Sequence, residues 1–347
     1  METIFDEFIW NYIFQYLDQS SIINLSLSSV KLLYLKNYIT HFDVSYKTKK
    51  NIFNIYPNLT SIIMNDIAPQ YHPLSTSKNM YFVKNILPDL LLSKQLISLN
   101  CRSIHEDFTI DVSNLNNLTS LDCSWCHCIS GIENLINLRS LDCSGSNISD
   151  KTLEPLTNLT SLNCAQCNYI KNIDTLTNLT DLNCAYCYWI GYIGNLTNLK
   201  YLHCEFEAEP SSENECIKGI ENLTNLTWLN CSGCCEINNV SSLSNLTFLN
   251  CSYCYNIENI ERLTKLKYLV CFESEPFTLD GQYFSQLEII ETYHFVNILN
   301  VVNMNNLHII KYYYVEPQFE DELKRNILLC GHFVQFKYIK QKMEILC

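Results

Sequence analysis

The sequence has 347 residues and no lysine or arginine before Lys31. Its opening stretch, METIFDEFIWNYIFQYLD, instead carries Glu2, Asp6 and Glu7, and so lacks the basic region of a secretory signal peptide. No run of about 18 uncharged apolar residues occurs, the length that a membrane-spanning helix needs. Basic side chains are scarce overall: 23 Lys and Arg stand against 36 Asp and Glu, a formal net charge of −13. Phosphate contacts need a basic face, so this balance argues against a nucleic-acid partner. No Gly-rich phosphate loop, G-x-S-x-G or H-E-x-x-H is present, and the eight histidines are scattered. Cys347 is the last residue rather than the fourth from the end, which excludes a prenylation signal. These absences predict a reducing, cytoplasmic setting with no membrane partner, no cofactor and no catalytic residue. A lean towards Ile, Asn, Tyr and Lys fits an AT-rich genome such as that of an amoebal parasite or a large DNA virus; for a virus the setting is the host-cell cytoplasm.

Hydrophobic residues make up 47%, enough for a packed structure. What dominates the chain is a repeat. Leucines recur at Leu118, Leu138, Leu159, Leu179, Leu199, Leu226, Leu246, Leu266, Leu287 and Leu307, 20 or 21 residues apart except for one gap of 27. A further anchor lies at Leu96, with weaker ones at Leu59 and Ile39. Within a unit the pattern is L-x-x-L-x-C-x-x-C-x-x-I-x-x-I-x-x-L-x-N. Side chains alternate along a strand, so L+3 and L+5 (Leu162 and Cys164, for example) share one face. Both are apolar or small in nearly every unit, which makes that face inward, and the isoleucines return the chain past the same core. One unit cannot bury this face, whereas stacked neighbours can.

The front half of the unit resembles the leucine-rich repeat, L-x-x-L-x-L-x-x-N/C, at the short end of its length range. The resemblance covers residues 96–315. It implies an α/β solenoid, a leucine-rich-repeat horseshoe with one short parallel strand per repeat on the concave side. Twenty residues leave little room for an α-helix, so tight 3₁₀-rich turns are expected opposite.

The first forty residues break the period. Phe8, Tyr12 and Tyr16 follow one another at i, i+4, i+8 beside Ile9, Ile13 and Leu17, an amphipathic helix with Asp6 as N-cap. Ile4-Phe5, "YIFQYLD" at 12–18 and "SSIINLSLSSVKLLYL" at 20–35 resemble an F-box, the helical motif of ubiquitin-ligase substrate receptors. The Leu-Pro usual at positions 4–5 and the Trp after the Val-x-Lys region are missing. The resemblance implies a small all-α domain over 1–40 that docks on the adaptor subunit of a cullin-type ubiquitin ligase through Ile4, Phe5, Ile9, Ile13, Phe14 and Leu17. The alternative is a helical cap over the first repeat. Residues 41–95 read as irregular repeats or a linker. Residues 316–347 read as a C-terminal cap, a helix from Pro317 to Gly331 and then a strand in HFVQFKYI.

The 19 cysteines include pairs at 123/126, 164/167, 184/187, 231/234 and 251/254. Cys-x-x-Cys spacing admits a zinc site built from two adjacent pairs. Units with a single cysteine (Cys143, Cys204, Cys271) nevertheless interrupt the series without interrupting the period. Buried cysteine also behaves as a small hydrophobe, so the favoured reading is a packing column. Asn-Leu-Thr at Asn117, Asn158, Asn178, Asn195, Asn222, Asn225 and Asn245 matches a glycosylation sequon, but with no secretory signal it reads as a turn element of the repeat.

Positions L+2 and L+4 should face outward. L+2 runs Ser120, Ser140, Ser161, Asp181 and then Tyr201, Trp228, Phe248, Tyr268. With strands about 4.8 Å apart, the last four would form an aromatic stripe. Beside it L+4 offers His203, Asn230 and Asn250. These seven residues are the candidates for binding a target protein, since Tyr and Trp anchor interfaces; the alternative is that the rings only pack on one another. His203 and Cys204 are strand neighbours facing opposite ways and cannot form a dyad. The 27-residue unit adds an acidic loop with Glu205, Glu207, Glu209, Glu213 and Glu215, either a selector of basic partners or a solvated surface. The chain is thus read as a non-catalytic substrate receptor, or as a repeat scaffold without a ubiquitin role.

Overall fold

The computed structural model describes residues 41–43, 61–63, 96–102, 109–206, 217–234, 236–255, 257–272, 278–292, 297–299, 303–307, 309–312 and 335–338. Ile4, Phe5, Ile9, Ile13, Phe14 and Leu17, the helix expected after Pro317 and most of the acidic loop lie outside these residues. The chain divides into two compact units, Met1–Asn147 and Ile148–Cys347.

In the first unit, strands β1 (His41–Asp43), β2 (Ser61–Ile63), β3 (Ser98–Asn100), β5 (Ser120–Asp122) and β7 (Ser140–Asp142) pair in parallel in that order. The weak anchors at Ile39 and Leu59 therefore each introduce a strand at L+2. Between them a second parallel pair joins β4 (Ile110–Asp111) to β6 (Ile129–Ser130).

The second unit opens with a single helical turn, α1 (Asp150–Leu153). Its sheet runs in parallel through β8 (Ser161–Asn163), β9 (Asp181–Asn183), β10 (Tyr201–His203), β11 (Trp228–Asn230), β12 (Phe248–Asn250), β13 (Tyr268–Cys271), β15 (Ile289–Thr292), β17 (Ile309–Tyr312) and β18 (Gln335–Tyr338). β14 (Thr278–Asp280) and β16 (Asn297–Leu299) form a separate pair. The register is residue for residue: Leu162, Leu182, Leu202, Leu229, Leu249 and Leu269 stand in one row. No helix of the described residues is long and apolar enough to cross a membrane.

The core follows a simple rule. From Cys164 onwards every third residue is buried: Cys164, Cys167, Ile170, Ile173, Leu176, Leu179 and Leu182, none more than 1% exposed. Three residues per turn is the 3₁₀ period. The backbone bonds agree, with the Cys167, Leu176 and Leu179 N–H groups donating to Cys164, Ile173 and Leu176 O at 3.1, 3.0 and 3.0 Å. Short 3₁₀ helices at Ile132–Asn134, Ile220–Asn222 and Ile260–Arg262 occupy the same arm in other repeats. The expected 3₁₀-rich return side is present.

Cys-x-x-Cys is one step of this series. Its first sulfur ends the strand, its second closes a four-residue turn, and the residue before the second cysteine is left-handed. The φ values are 58° at Trp125, 61° at Gln166, 58° at Tyr186 and 59° at Tyr253, with glycine at 145 and 233. A left-handed side-chain-bearing residue costs about 1–2 kcal/mol. Its N–H is satisfied by the next repeat: Gln166 donates to Ala185 O at 2.8 Å, Tyr186 to Glu205 O at 2.8 Å and Tyr253 to Phe272 O at 2.7 Å. At Gly145 the missing Cβ leaves room for the Trp125 ring, whose atoms begin 2.7 Å from where that Cβ would stand.

The asparagine that precedes most anchor leucines stitches repeats together. Asn178, Asn198, Asn225 and Asn245 donate Nδ2–H to Thr157, Thr177, Thr197 and Thr224 O at 2.9, 2.9, 2.9 and 3.0 Å. At the equivalent position Lys265 instead donates Nζ–H to Asn245 Oδ1 at 2.7 Å. At Asn178, Asn225 and Asn245 the sequon-like triplets therefore carry the amide donors of a ladder. Asn178→Ala should cost about 1 kcal/mol through the lost bond, and Leu229→Ala about 3 kcal/mol through the cavity it leaves. Urea unfolding of the two variants checks both; equal losses would mean that the leucine row is not the core.

Candidate functional site

The stripe residues sit where the register puts them. Tyr201, Trp228, Phe248 and Tyr268 are direct partners across β10–β13 and all are half-buried. The Tyr201 and Trp228 rings stack at 4.0 Å and 13°, Trp228 and Phe248 at 4.7 Å and 6°, and Phe248 and Tyr268 at 5.2 Å and 33°. Trp228 and Phe248 thus have a neighbouring ring on each face, while Tyr201 and Tyr268 end the stack. Burial, with Asp181 beside it, pushes the Tyr201 phenol above its ordinary value, so it stays a neutral donor. At the other end the Tyr268 hydroxyl donates to Glu291 Oε1.

L+4 residues do two jobs. Their side-chain oxygens cap the strand ends. Asn163, Asn183, Asn230 and Asn250 Oδ1 accept the N–H two residues on at 3.2, 3.1, 3.1 and 3.1 Å, and Asp122 and Asp142 do the same in the first unit. Asn250 Oδ1 also takes the Ser252 hydroxyl at 2.7 Å, so its carbonyl is committed to the turn. Asn230 is only 8% exposed, and its amide nitrogen turns into a polar cluster.

That cluster joins L+4 to turn residues. His203 Nε2 lies 2.9 Å from Glu205 Oε2 and 2.9 Å from Asn230 Nδ2, and Asn230 Nδ2 lies 3.2 Å from Glu205 Oε2. The carboxylate is the sole pure acceptor of the triangle, so both nitrogens donate to it and the imidazole proton is on Nε2. The Tyr186 hydroxyl adds a donation to Glu205 Oε1 at 3.2 Å. The His203 bond, supported by those from Tyr186 and Asn230, outweighs desolvation and holds the Glu205 carboxyl below the usual glutamate range. The His203 ring also meets Trp228 edge-on at 6.0 Å, tying the cluster to the stripe. Sequence reasoning had His203 and Asn230 but placed Glu205 in a loop and passed over Tyr186. Both stand just past the strand, at L+6 and L+7, outside the columns that alternation defines.

Behind the strand the cysteines form a column of mutual support. Cys187, Cys234 and Cys254 donate S–H to Cys164, Cys204 and Cys231 O in the preceding repeat at 2.9, 2.9 and 3.1 Å. Cys204 and Cys231 donate forward to Asn230 and Asn250 O, both at 3.4 Å. Among the described residues no group of three or more His, Cys, Asp or Glu is placed to hold a metal ion. Cys204, fully buried, is on the far side of the strand from His203.

Two measurements follow. Desolvation pushes the Cys184 and Cys251 thiols well above their ordinary value and Cys271 to about 12; for Cys204 and Cys231 the bonds with Cys234 and Cys254 come first and burial second. Thiolates are the reactive species, so iodoacetamide at about pH 8 should leave these five unalkylated in the native chain and modify all of them in urea; native alkylation would show an open column. Glu205 has its pKa lowered by folding, so its stabilisation is complete above the ordinary value of about 4.3. It is lost as pH falls from there through the depressed folded value. The melting temperature of wild type should drop more steeply over that interval than that of Glu205→Gln.

No family model and no curated protein matches this sequence. Solved structures do. The functional domain of InlJ from Listeria monocytogenes, which includes a cysteine ladder, superposes with a TM-score of 0.57 at 20% identity, over 81% of this chain and 59% of its own. This chain therefore spans less than two thirds of that domain's length. An internalin (inlF) of Listeria monocytogenes 4b F2365 gives 0.51 at 19% identity over 93% and 94% of the two chains. A leucine-rich-repeat protein of Leptospira interrogans gives 0.51 at 17% over 89% and 98%. At these identities the likeness concerns the fold, and that fold is the leucine-rich-repeat solenoid, with one short parallel strand per repeat and little helix.

Proposed function

We propose that the chain is a non-catalytic protein-binding module whose target docks on the exposed sheet face of the second unit. The observation that carries this reading is the ring stack Tyr201–Trp228–Phe248–Tyr268. Four large aromatics in successive strands, on a face where Ser, Asn and Asp predominate at the preceding repeats, make an apolar strip of the kind that marks interfaces. His203, Asn230 and Asn250 border it. The chemistry nearby supports binding over catalysis: Glu205 is engaged by His203, Tyr186 and Asn230, and the closest thiol lies behind the strand. In the finer form of the proposal the protein is a substrate receptor of a cullin-type ubiquitin ligase in the cytoplasm, its N-terminal residues Ile4, Phe5, Ile9, Ile13, Phe14 and Leu17 holding the adaptor subunit. The F-box resemblance supports that form; the plain scaffold is the second reading.

Affinity purification of the full chain from a eukaryotic cell, with quantitative mass spectrometry, separates them. The receptor reading expects the ligase adaptor in the wild-type eluate and its loss on Ile9→Asp with Ile13→Asp. Trp228→Ala with Phe248→Ala should keep the adaptor but reduce the target at least tenfold, about 1.4 kcal/mol or more. A folded chain without adaptor leaves the scaffold reading, and target capture unchanged by the stripe variants ends the docking surface.

A further inference from the structure

Two accessible carboxylates stand at the Tyr201 end of the stripe, and they specify the chemistry of its partner. Asp181 is exposed on β9, directly beside Tyr201. Glu205 reaches the His203 edge with its side chain 31% exposed. Glu291 on β15 does not add to them: it is only 8% exposed, takes the Tyr268 hydroxyl and stands in register with Lys311 on β17. At L+2, L+4 and L+6 from β8 to β13 the residues are Ser161, Asn163, Ala165; Asp181, Asn183, Ala185; Tyr201, His203, Glu205; Trp228, Asn230, Ser232; Phe248, Asn250, Ser252; Tyr268, Val270 and Phe272. None is lysine or arginine. The basic residues closest in sequence, Lys200 and Lys267, precede their strands, and Lys267 is paired with Glu288 at 2.9 Å.

We propose that this face receives a basic polypeptide segment, rich in lysine or arginine between apolar residues. The inference rests on the docking reading above and deepens it. The ring geometry sets how such a segment lies. Stacking hides both electron-rich faces of Trp228 and Phe248, so a cation gains nothing directly over those two rings and meets their edges instead. The apolar stems of Lys and Arg lie across those edges, and their heads reach the flanking carboxylates. Glu205 is prepared for this: Tyr186, His203 and Asn230 fix its orientation and keep it ionised, while one lone pair on Oε1 is left for an incoming N–H. A phosphate backbone meets repulsion on the same face, consistent with the net charge of −13.

Three short labelled peptides test the proposal, with identical Leu and Tyr positions and the alternate positions filled by Arg, Gln or Glu, titrated onto the full chain by fluorescence anisotropy at low salt. The Arg peptide should bind at least tenfold tighter than the Gln peptide, and the Glu peptide not measurably. Asp181→Asn with Glu205→Gln should bring the Arg peptide down to the Gln value while leaving the Gln peptide unchanged. Asp181→Asn alone, at an exposed position, should give part of that loss and guards against a folding effect of the double variant. Equal binding of the three peptides, no binding of the Arg peptide, or an Arg peptide indifferent to both variants overturns the inference, as does tighter binding of a labelled oligouridylate. Failure of the underlying docking reading looks different: the Arg preference persists while Trp228→Ala and Phe248→Ala change nothing.

Discussion

The molecule depends on one geometric constraint, an inward side chain at every third position except across the strand. Six steps of three residues and one step of two make the twenty-residue period, and the single two-residue step is the strand, where side chains alternate. Each inward leucine or isoleucine contributes roughly 1.5–3 kcal/mol by leaving water. That gain must offset the tight turns, including the left-handed residue before the second cysteine. The price falls on Trp125, Gln166, Tyr186 and Tyr253, which carry side chains where glycine would be unstrained. Neighbouring repeats over-determine that conformation, because each strained N–H is held by the next turn's carbonyl.

Cysteine suits its two positions for the same reason. A side chain ending the strand and another closing the turn face each other across adjacent repeats. Both must be small, and buried carbonyls lie between them. A thiol fills the space and still offers a weak donor, so Cys164, Cys204 and Cys231 O receive S–H from the following repeat, and Cys164 and Cys231 O also take an N–H from their own turn. Alanine would leave the volume and the carbonyl unserved, and leucine has no donor. The metal-like spacing is a consequence of the four-residue turn.

The period, the inward columns and the aromatic row were legible in the sequence because each depends on one residue type recurring at one position. What was not legible depends on backbone direction at a turn. Glu205 and Tyr186 come together because L+6 of one repeat lies beside left-handed L+7 of its neighbour, a φ that only the glycines at 145 and 233 betray in the sequence. The L+4 asparagines illustrate the same limit: alternation put them outward, yet their oxygens curl back to cap the strand, so Asn230 is buried and Asn250 has its carbonyl spent. The sequon-like triplets were legible as repeat elements, but the ladder that gives them their meaning lies one repeat away.

The stack serves folding, and the demands of the proposed recognition agree with it. Cross-strand aromatic pairs stabilise a sheet by about 0.2–1 kcal/mol each. Held between neighbours, the rings also have little rotamer freedom left to lose when a partner arrives. Immobilising a free side chain at an interface costs about 0.5–1.5 kcal/mol, a cost that Trp228, held by rings on both sides, has largely met on folding. The ordered carboxylate of Glu205 extends the argument to charge, since its donors fix its direction before any cation approaches. On the proposed reading, a rigid apolar strip beside a preset anion would select partners by the spacing of their basic residues, because neither element would shift to accommodate another arrangement.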